Sequence, residues 1–268
     1  MLGLITGDHP RHKYLANKLI NEGIVQYWVI ETRESFIPDS SGINNAEIKK
    51  LFDLHFHKRD EAEDYWFKNK PNSENDVLKL IVGENEQNSK EVKDFIYKNK
   101  CHTILSYGCH LLDEEVIAAS TFNSINIHGG ISPWYRGIIT HFWPSYNLEP
   151  DLTGMTLHNL TKKIDGGGII HQTKADLVKG DGLHMLAGRV VTKFTEELLL
   201  IAKKIIEIKE PIIGVTQKSS GRLWTGKMWR PEHLLFIYKY FEDNVVDFCI
   251  DNGIQSNVDD EDLVYFKN

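Results

Sequence analysis

The side chains of this 268-residue chain that are best suited to catalysis are those of Asn126, His128 and Asp165. An asparagine amide can donate a hydrogen bond to an oxyanion that develops at a carbonyl carbon. An imidazole can exchange protons near neutral pH, and a carboxylate can orient that imidazole or balance its charge. Together these groups meet the needs of acyl transfer to an amine. Taken singly, each also suits a structural role, such as a turn after a strand or a packed core position.

The elements that must position these residues are predicted from hydrophobic periodicity. An apolar strand at 2–6, a helix at 10–22 and a strand at 24–30 indicate a parallel α/β sheet. A strand at 122–127 places Asn126 and His128 at its carboxyl end, where ligands bind in open parallel sheets. Further strands are predicted at 77–82, 103–107, 153–160 and 168–174, and further helices at 90–98, 183–209 and 231–240.

The chain is predicted to consist of a catalytic domain at 1–210 and a small appendage at 211–268. Its composition becomes rich in aromatic residues after 212, and roughly the last 55 residues are few for an independent core. The predicted helix at 183–209 is amphipathic, with one apolar stripe along its length. The residues of that stripe are Leu186, Val190, Phe194, Leu198 and Ile201.

Bulk composition narrows the class of protein. A hydrophobic content of 41% and a charged content of 26% are ordinary for a soluble globular chain. The net charge of −7 argues against a nucleic-acid partner, which usually requires a basic surface. The amino-terminal apolar run is too short for a signal peptide, and no apolar stretch is long enough to span a bilayer. We therefore expect a cytoplasmic protein that does not associate with membranes.

Neither the cysteines nor the histidines predict a metal site. The three cysteines, Cys101, Cys109 and Cys249, are odd in number and lack CxxC spacing. This pattern predicts neither a disulfide framework nor a zinc site, and it favours a reducing compartment. His55 and His57 lack a matching cluster of further ligands, so no metal is expected.

The polar trio lies within an ordered set of motifs. Asn126-Ile127-His128 is followed by Ser-Pro-Trp-Tyr-Arg-Gly at 132–137, by Thr-Gly-Met-Thr-Leu-His at 153–158, and by Asp165 in Asp-Gly-Gly. This set resembles the family of formyltransferases that use N10-formyltetrahydrofolate. Two departures stand out. Gly129 and Gly130 replace part of a Ser-Leu-Leu-Pro-like turn, and the spacing from Asn126 to Asp165 is one residue longer than usual. The extra residue is placed in the loop at 147–151, where insertion is tolerated.

The resemblance implies a Rossmann-like formyltransferase domain in which Asn126, His128 and Asp165 are catalytic. Residues 106–112 resemble the strand-to-loop segment whose backbone meets the pterin ring, and a plain glycine turn is the structural alternative. The residues expected to bind N10-formyltetrahydrofolate are Tyr107, Gly108, His110 and Leu111.

Among branches of the family, the resemblance is to the sugar-nucleotide N-formyltransferases. Purine-pathway members carry a Gly-Ser-Asn phosphate loop where this chain has Gly-Asp-His-Pro at 7–10, and methionyl-tRNA formyltransferases carry a larger carboxyl-terminal domain. The aromatic segment at 223–229 is similar to one that helps small members form homodimers; a buried structural cluster is the alternative. The expected acceptor is dTDP-4-amino-4,6-dideoxyglucose in O-antigen (lipopolysaccharide) synthesis, followed by GDP-perosamine. A formyltetrahydrofolate hydrolase and a non-catalytic folate- or nucleotide-binding protein are the remaining alternatives.

Four residues are candidates for binding the nucleotide-linked amino sugar. His9 and Arg11 open the first helix, a natural anion site, although a solvated helix start is the slightly favoured interpretation. Trp134 lies in the motif at 132–137, whose form resembles that of the sugar-nucleotide branch. The guanidinium of Arg136 could hold a phosphate through two hydrogen bonds or could serve in a structural salt bridge. His141 and Trp143 could line the same pocket, with packing the favoured role for Trp143.

Overall fold

The computed structural model describes residues 1–33, 37–68 and 76–267. Within them, seven strands form one sheet in the order β3-β2-β1-β4-β5-β7-β8. Strands β1 to β5 are parallel, and β7 and β8 run antiparallel to their neighbours. The predicted α/β class with a mostly parallel sheet is confirmed. The strands are β1 (Leu2–Gly7), β2 (Val25–Glu31), β3 (Leu78–Val82), β4 (Thr103–Tyr107), β5 (Asn123–His128), β7 (Gly154–Asn159) and β8 (Ile169–Lys174), with β6 (Arg136–Gly137) and β9 (Leu223–Trp224) forming a separate pair.

Helices cover both faces of the sheet. They are α1 (Pro10–Asn21), α2 (Ala46–Glu63), α3 (Lys90–Lys98), α4 (Glu114–Ile117), α5 (Trp143–Tyr146), α6 (Leu183–Glu207) and α7 (Val245–Asn252). Polar caps begin three of them: Asn45 accepts hydrogen bonds from the backbone at the start of α2, and Ser89 and Asp113 each accept one at the starts of α3 and α4. None of the described helices is long and apolar enough to cross a membrane.

The main core lies between the sheet and the helices α1 and α6. The five residues of the predicted apolar stripe of α6 are all buried there, because a 3.6-residue repeat keeps them on the side that faces the sheet. On the opposite face, Val92 and Ile96 of α3 pack against Ile5 and Val29. The resulting three layers leave the carboxyl ends of β1, β4 and β5 open along one edge.

The carboxyl-terminal segment packs on the loop that follows β5. The Trp224 ring stacks on Trp143 with centroids 4.3 Å apart and on Tyr135 with centroids 5.9 Å apart. Aromatic residues of the tail thus contribute to a core within the chain. The helix predicted at 231–240 is not regular: a 3₁₀ turn spans Pro231–His233 and a π-helical turn spans Leu235–Tyr240. The division at residue 210 stays a prediction.

Close packing on α6 depends on a glycine. A Cβ atom added to Gly188 would lie 2.0 Å from Cδ1 of Trp66, in the π-helical turn Asp64–Lys68 that extends α2. We expect Gly188→Ala to destabilise the protein by about 1–3 kcal/mol through overpacking, although alanine in a helix interior is normally favoured over glycine by about 1 kcal/mol. Urea denaturation measures the change. Leu200→Ala, on the exposed face of α6, is the control, and an equal or higher stability of Gly188→Ala would contradict the packing argument.

Candidate active site

Asn126, His128 and Asp165 meet at the carboxyl end of β5. Oδ2 of Asp165 lies 3.4 Å from Nδ1 of His128, and Oδ1 of Asp165 lies 3.4 Å from Nδ2 of Asn126. Asn126 and His128 alternate with Ile127 along the strand, so both side chains reach the same face. The structure therefore brings together three residues that are as many as 39 positions apart in the sequence.

The carboxylate of Asp165 is held by donors from several elements. The backbone N–H of Gly137 in β6 donates to Oδ2 at 2.8 Å, and Gln217 donates to the backbone carbonyl of Asp165 at 2.7 Å. Burial alone would raise the pKa of this carboxyl. The nearby imidazoles of His128 and His158, together with the Gly137 N–H, outweigh burial and hold the pKa well below its usual value. Asp165 is therefore a carboxylate at every physiological pH.

The ring of His128 is oriented by a backbone carbonyl. Its Nε2 lies 2.7 Å from the carbonyl oxygen of Tyr135, which can only accept, so Nε2 carries the hydrogen. In the neutral ring, Nδ1 then has a free lone pair and faces Asp165. Burial lowers the pKa of His128, and Asp165 and the Tyr135 carbonyl oppose that shift in part. The ring is thus a neutral base whose protonated form would meet a carboxylate.

Gly130 explains one departure from the family pattern. A Cβ atom at this position would lie 2.4 Å from the carbonyl oxygen of Tyr135 and 2.7 Å from Nε2 of His128. Any larger residue would push these two atoms apart. The glycine therefore permits the hydrogen bond that orients the His128 ring.

His158 is a fourth polar member of the site, to which sequence reasoning assigned no role. Its Nδ1 donates to the carbonyl of Asn159 at 2.9 Å, so its Nε2 accepts from Nδ2 of Asn126 at 3.2 Å. The same Nε2 lies 3.4 Å from Oδ1 of Asp165. Antiparallel pairing of β5 with β7 places His158 directly opposite Asn126. The motif at 153–158 held the signal, but only that strand pairing gives it a position.

Ser106 orients the amide of Asn126. Its hydroxyl donates to Oδ1 of Asn126 at 2.8 Å from the neighbouring strand β4. The amide oxygen is thereby engaged on one side, and the amide nitrogen is directed to the side of His158 and Asp165. A donor N–H is consequently held in place before any ligand arrives.

The trio lies in a cavity of about 740 Å³. The predicted folate-binding residues Tyr107, Gly108, His110 and Leu111 line it, as do His9, Arg11 and His141. His110 is held by Glu31, which accepts from its backbone N–H at 2.8 Å and contacts its Nδ1 at 2.7 Å. The structure thus gathers the catalytic candidates, the folate candidates and two of the four acceptor candidates around one space.

Arg136 and Trp134 occupy other positions. Neither belongs to the described lining of the cavity. Arg136 is buried, and its guanidinium donates to the backbone carbonyls of Ile164, at 3.0 Å from Nε, and of Ser220. A guanidinium engaged in this way is not available to a phosphate, so the geometry favours a structural role, with carbonyl acceptors in place of a salt bridge. Trp134 packs against the aromatic core beside the tail.

Trp143 is buried in the aromatic core, in the packing role favoured for it. Across the described parts of the chain, no group of three or more histidine, cysteine, aspartate or glutamate side chains is arranged to hold a metal ion.

Comparisons with known proteins bear on this geometry. The sequence model of the family described as formyl transferase matches residues 45–202. The methionyl-tRNA formyltransferase of Leptospira interrogans is 26% identical over 154 residues, which cover 56% of this chain and 47% of that protein. The chain therefore spans about half the length of the curated relatives it matches.

Two solved structures share the fold. A sugar N-formyltransferase from a Shewanella species superposes with a TM-score of 0.54 at 16% identity, covering 88% of this chain and 87% of that one. The second is the formyltransferase PseJ from Anoxybacillus kamchatkensis, in complex with UDP-4,6-dideoxy-4-formamido-L-AltNAc and tetrahydrofolate. It superposes with a TM-score of 0.51 at 17% identity, covering 92% of this chain and 96% of that one. Since the family model matches more than half of the sequence, the chain belongs to the formyl transferase family.

Proposed function

We propose that this protein transfers the formyl group of N10-formyltetrahydrofolate to the amino group of a nucleotide-linked amino sugar. The observation that carries the proposal is the grouping of Asn126, His128 and Asp165 at one end of a large cavity. Family membership supports formyl transfer, and the PseJ complex supports an acceptor of this class. PseJ is similar in fold only, so the acceptor is part of the proposal.

The donor supplies the formyl carbon that the acceptor amine attacks. The loop after β4 suits a flat folate ring, because Leu111 exposes 69% of its surface beside the cavity although it is apolar. Tyr107, Gly108 and His110 would complete that wall with backbone groups. These four residues are the proposed donor-binding residues.

The remaining chemistry falls to the polar trio. Nδ2 of Asn126 would donate to the oxyanion that forms at the formyl oxygen. Nδ1 of His128 would take the proton of the attacking amine, because that atom has the free lone pair. The imidazolium would return this proton to N10 of the folate as the bond between N10 and the formyl carbon breaks, which releases tetrahydrofolate. Asp165 would stabilise the imidazolium, since its carboxylate already faces Nδ1. His158 accepts a hydrogen bond from Asn126 from the opposite strand and so helps to position its amide.

The proposed acceptor is a 4-amino-4,6-dideoxyhexose, with dTDP-4-amino-4,6-dideoxyglucose as first choice and GDP-perosamine as second. The ligand of PseJ supports the position of the amine, since its formamido group is at carbon 4 of a 4,6-dideoxy sugar. The setting would be cytoplasmic synthesis of O-antigen for lipopolysaccharide. We also propose a homodimer through the segment at 223–229, where Leu223 and Met228 each expose 39% of their surface.

Incubation with N10-formyltetrahydrofolate and a panel of amino sugars linked to dTDP, GDP and UDP tests the proposed reaction. We expect mass spectrometry to detect a formyl adduct on a 4-amino sugar and on no 3-amino isomer, because the trio defines one position for the amine. Donor consumption without any acceptor would contradict the proposal and favour a hydrolase. No adduct with any member of the panel would also contradict it.

Asn126→Ala tests the oxyanion donor. We expect kcat to fall by roughly 10²–10³, the usual cost of losing one such donor, with little change in KM. Asn252→Ala, at the exposed end of α7, is the matched control. Rates of formyl transfer under saturating donor measure both variants, and an Asn126→Ala enzyme of unchanged kcat would exclude the amide from catalysis.

The pH profile tests the pairing of His128 with Asp165. Because burial lowers the pKa of His128, we expect kcat/KM to hold its plateau below pH 6.5 and to fall only as Nδ1 becomes protonated. Asp165→Asn removes the charge that favours the imidazolium, so the acidic limb should move to lower pH while kcat falls. Asp247→Asn, on the surface helix α7, should leave the limb in place. A limb that moves to higher pH in Asp165→Asn would contradict the pairing.

A further inference from the structure

The start of α1 forms one wall of the cavity, and it already holds an anion that belongs to the protein. The backbone N–H of Arg11, the second residue of the helix, donates to Oε2 of Glu63 at 3.1 Å. The guanidinium of Arg11 forms an ion pair with the same carboxylate. Glu63 exposes only 1% of its side chain. A free amide at a helix start and an adjacent guanidinium make an anion site, and here Glu63 fills it.

A further donor of the Arg11 guanidinium, Nη1, also has a partner within the protein. This atom lies 3.2 Å from Nδ1 of His141, whose Nε2 donates to the carbonyl of Gly154 at 3.1 Å. Nδ1 of His141 is thus the acceptor, and the ring is neutral. Burial, followed by the charge of Arg11, lowers the pKa of His141 to about 3. One positive charge, one negative charge and a neutral imidazole therefore make up this corner.

Burial also keeps the next imidazole uncharged. The pKa of His12 lies well below its ordinary value because of burial and of the neighbouring His9 and Arg11. His12 stacks on His9, with ring centroids 5.4 Å apart, and both rings line the cavity. In the α1 corner, defined here as His9, Arg11, His12, Glu63 and His141, the charge of Arg11 is thus balanced by Glu63, and burial keeps His12 and His141 uncharged at neutral pH.

We propose that Glu63 is a specificity-determining residue that occupies the anion site at the start of α1 and so excludes a phosphate monoester from the α1 corner. A phosphate placed there would face a buried carboxylate, and unpaired like charges in contact are strongly unfavourable. The corner instead suits an uncharged, hydroxyl-bearing part of an acceptor, which neutral imidazoles can meet as donor or acceptor. This inference deepens the proposed function, in which the acceptor is an amino sugar. It also replaces the expectation that Arg11 binds a substrate phosphate.

Glu63→Ala tests the proposal, with inorganic phosphate as the probe. The substitution leaves the amide and guanidinium of Arg11 facing the space that the carboxylate filled. We expect saturable phosphate binding at least about tenfold tighter than in the unmodified protein, because the like-charge contact is gone. Isothermal titration calorimetry measures the affinity. Glu47→Ala is the matched control, since Glu47 lies on the same helix α2 and pairs with Lys239 at the surface.

A second variant assigns the bound phosphate to the α1 corner. Arg33 and Arg59 also line the cavity, so the gain must depend on Arg11 to support the proposal. We expect Glu63→Ala with Arg11→Met to lose the gain. Phosphate binding that survives this double substitution would overturn the proposal, as would equal affinity in the unmodified protein and in Glu63→Ala.

A measurement on the unmodified protein covers the case in which Glu63→Ala does not fold. The ¹⁵N resonance of the Arg11 Nε–H group should stay unchanged as phosphate is added, because Glu63 holds that donor. A saturable shift would overturn the proposal. Neither experiment uses a formyl donor or an amino sugar, so the result is separate from the outcome of the formyl-transfer assay.

Discussion

The carboxylate of Asp165 is largely enclosed, with 10% of the side chain exposed, and a carboxylate withdrawn from water in this way is tolerated only where donors or positive charge surround it. In this protein the Asn126 amide of β5 and the Gly137 N–H of β6 donate to it, and the rings of His128 and His158 face it and supply positive charge when they are protonated. Much of the irregular structure nearby serves the same constraint. Arg136 holds the carbonyl just before Asp165, and Gln217 holds the carbonyl of Asp165 itself. The position of the proposed base therefore depends on how this one charge is accommodated.

The arrangement divides the polar groups into fixed and reactive atoms. The Tyr135 carbonyl accepts a hydrogen bond from Nε2 of His128, and the Asn159 carbonyl accepts one from Nδ1 of His158. The Ser106 hydroxyl donates to Oδ1 of Asn126. Each partner belongs to a strand or to the loop beside it, so the rings and the amide have little freedom. Preorganised donors of this kind lower the reorganisation needed during a reaction. The proposed chemistry uses Nδ1 of His128 and one N–H of Asn126 Nδ2, an amide nitrogen that faces His158 and Asp165 when no ligand is bound.

Features that rest on local periodicity could be predicted from the sequence. The buried stripe of α6 and the strand carrying Asn126 and His128 follow from spacing alone, and the family motif located Asp165. Features that depend on contacts between distant segments could not be predicted from the sequence. His158 gained its place through antiparallel pairing with β5, and Glu63 reaches Arg11 across 52 positions. Arg136 was the misleading case, because a residue type suited to phosphate proved to bind buried carbonyls. Residue chemistry names what a side chain can do, and its neighbours decide which option is used.

The proposed proton transfer requires His128 to be a neutral base whose free lone pair lies on Nδ1 and is directed at Asp165. The ¹⁵N chemical shifts of the His128 ring at neutral pH test it most directly, since protonated and unprotonated ring nitrogens resonate far apart. We expect a protonated Nε2 and an unprotonated Nδ1. A hydrogen on Nδ1 of the neutral ring would contradict it, because the atom assigned to receive the proton of the amine would already carry one.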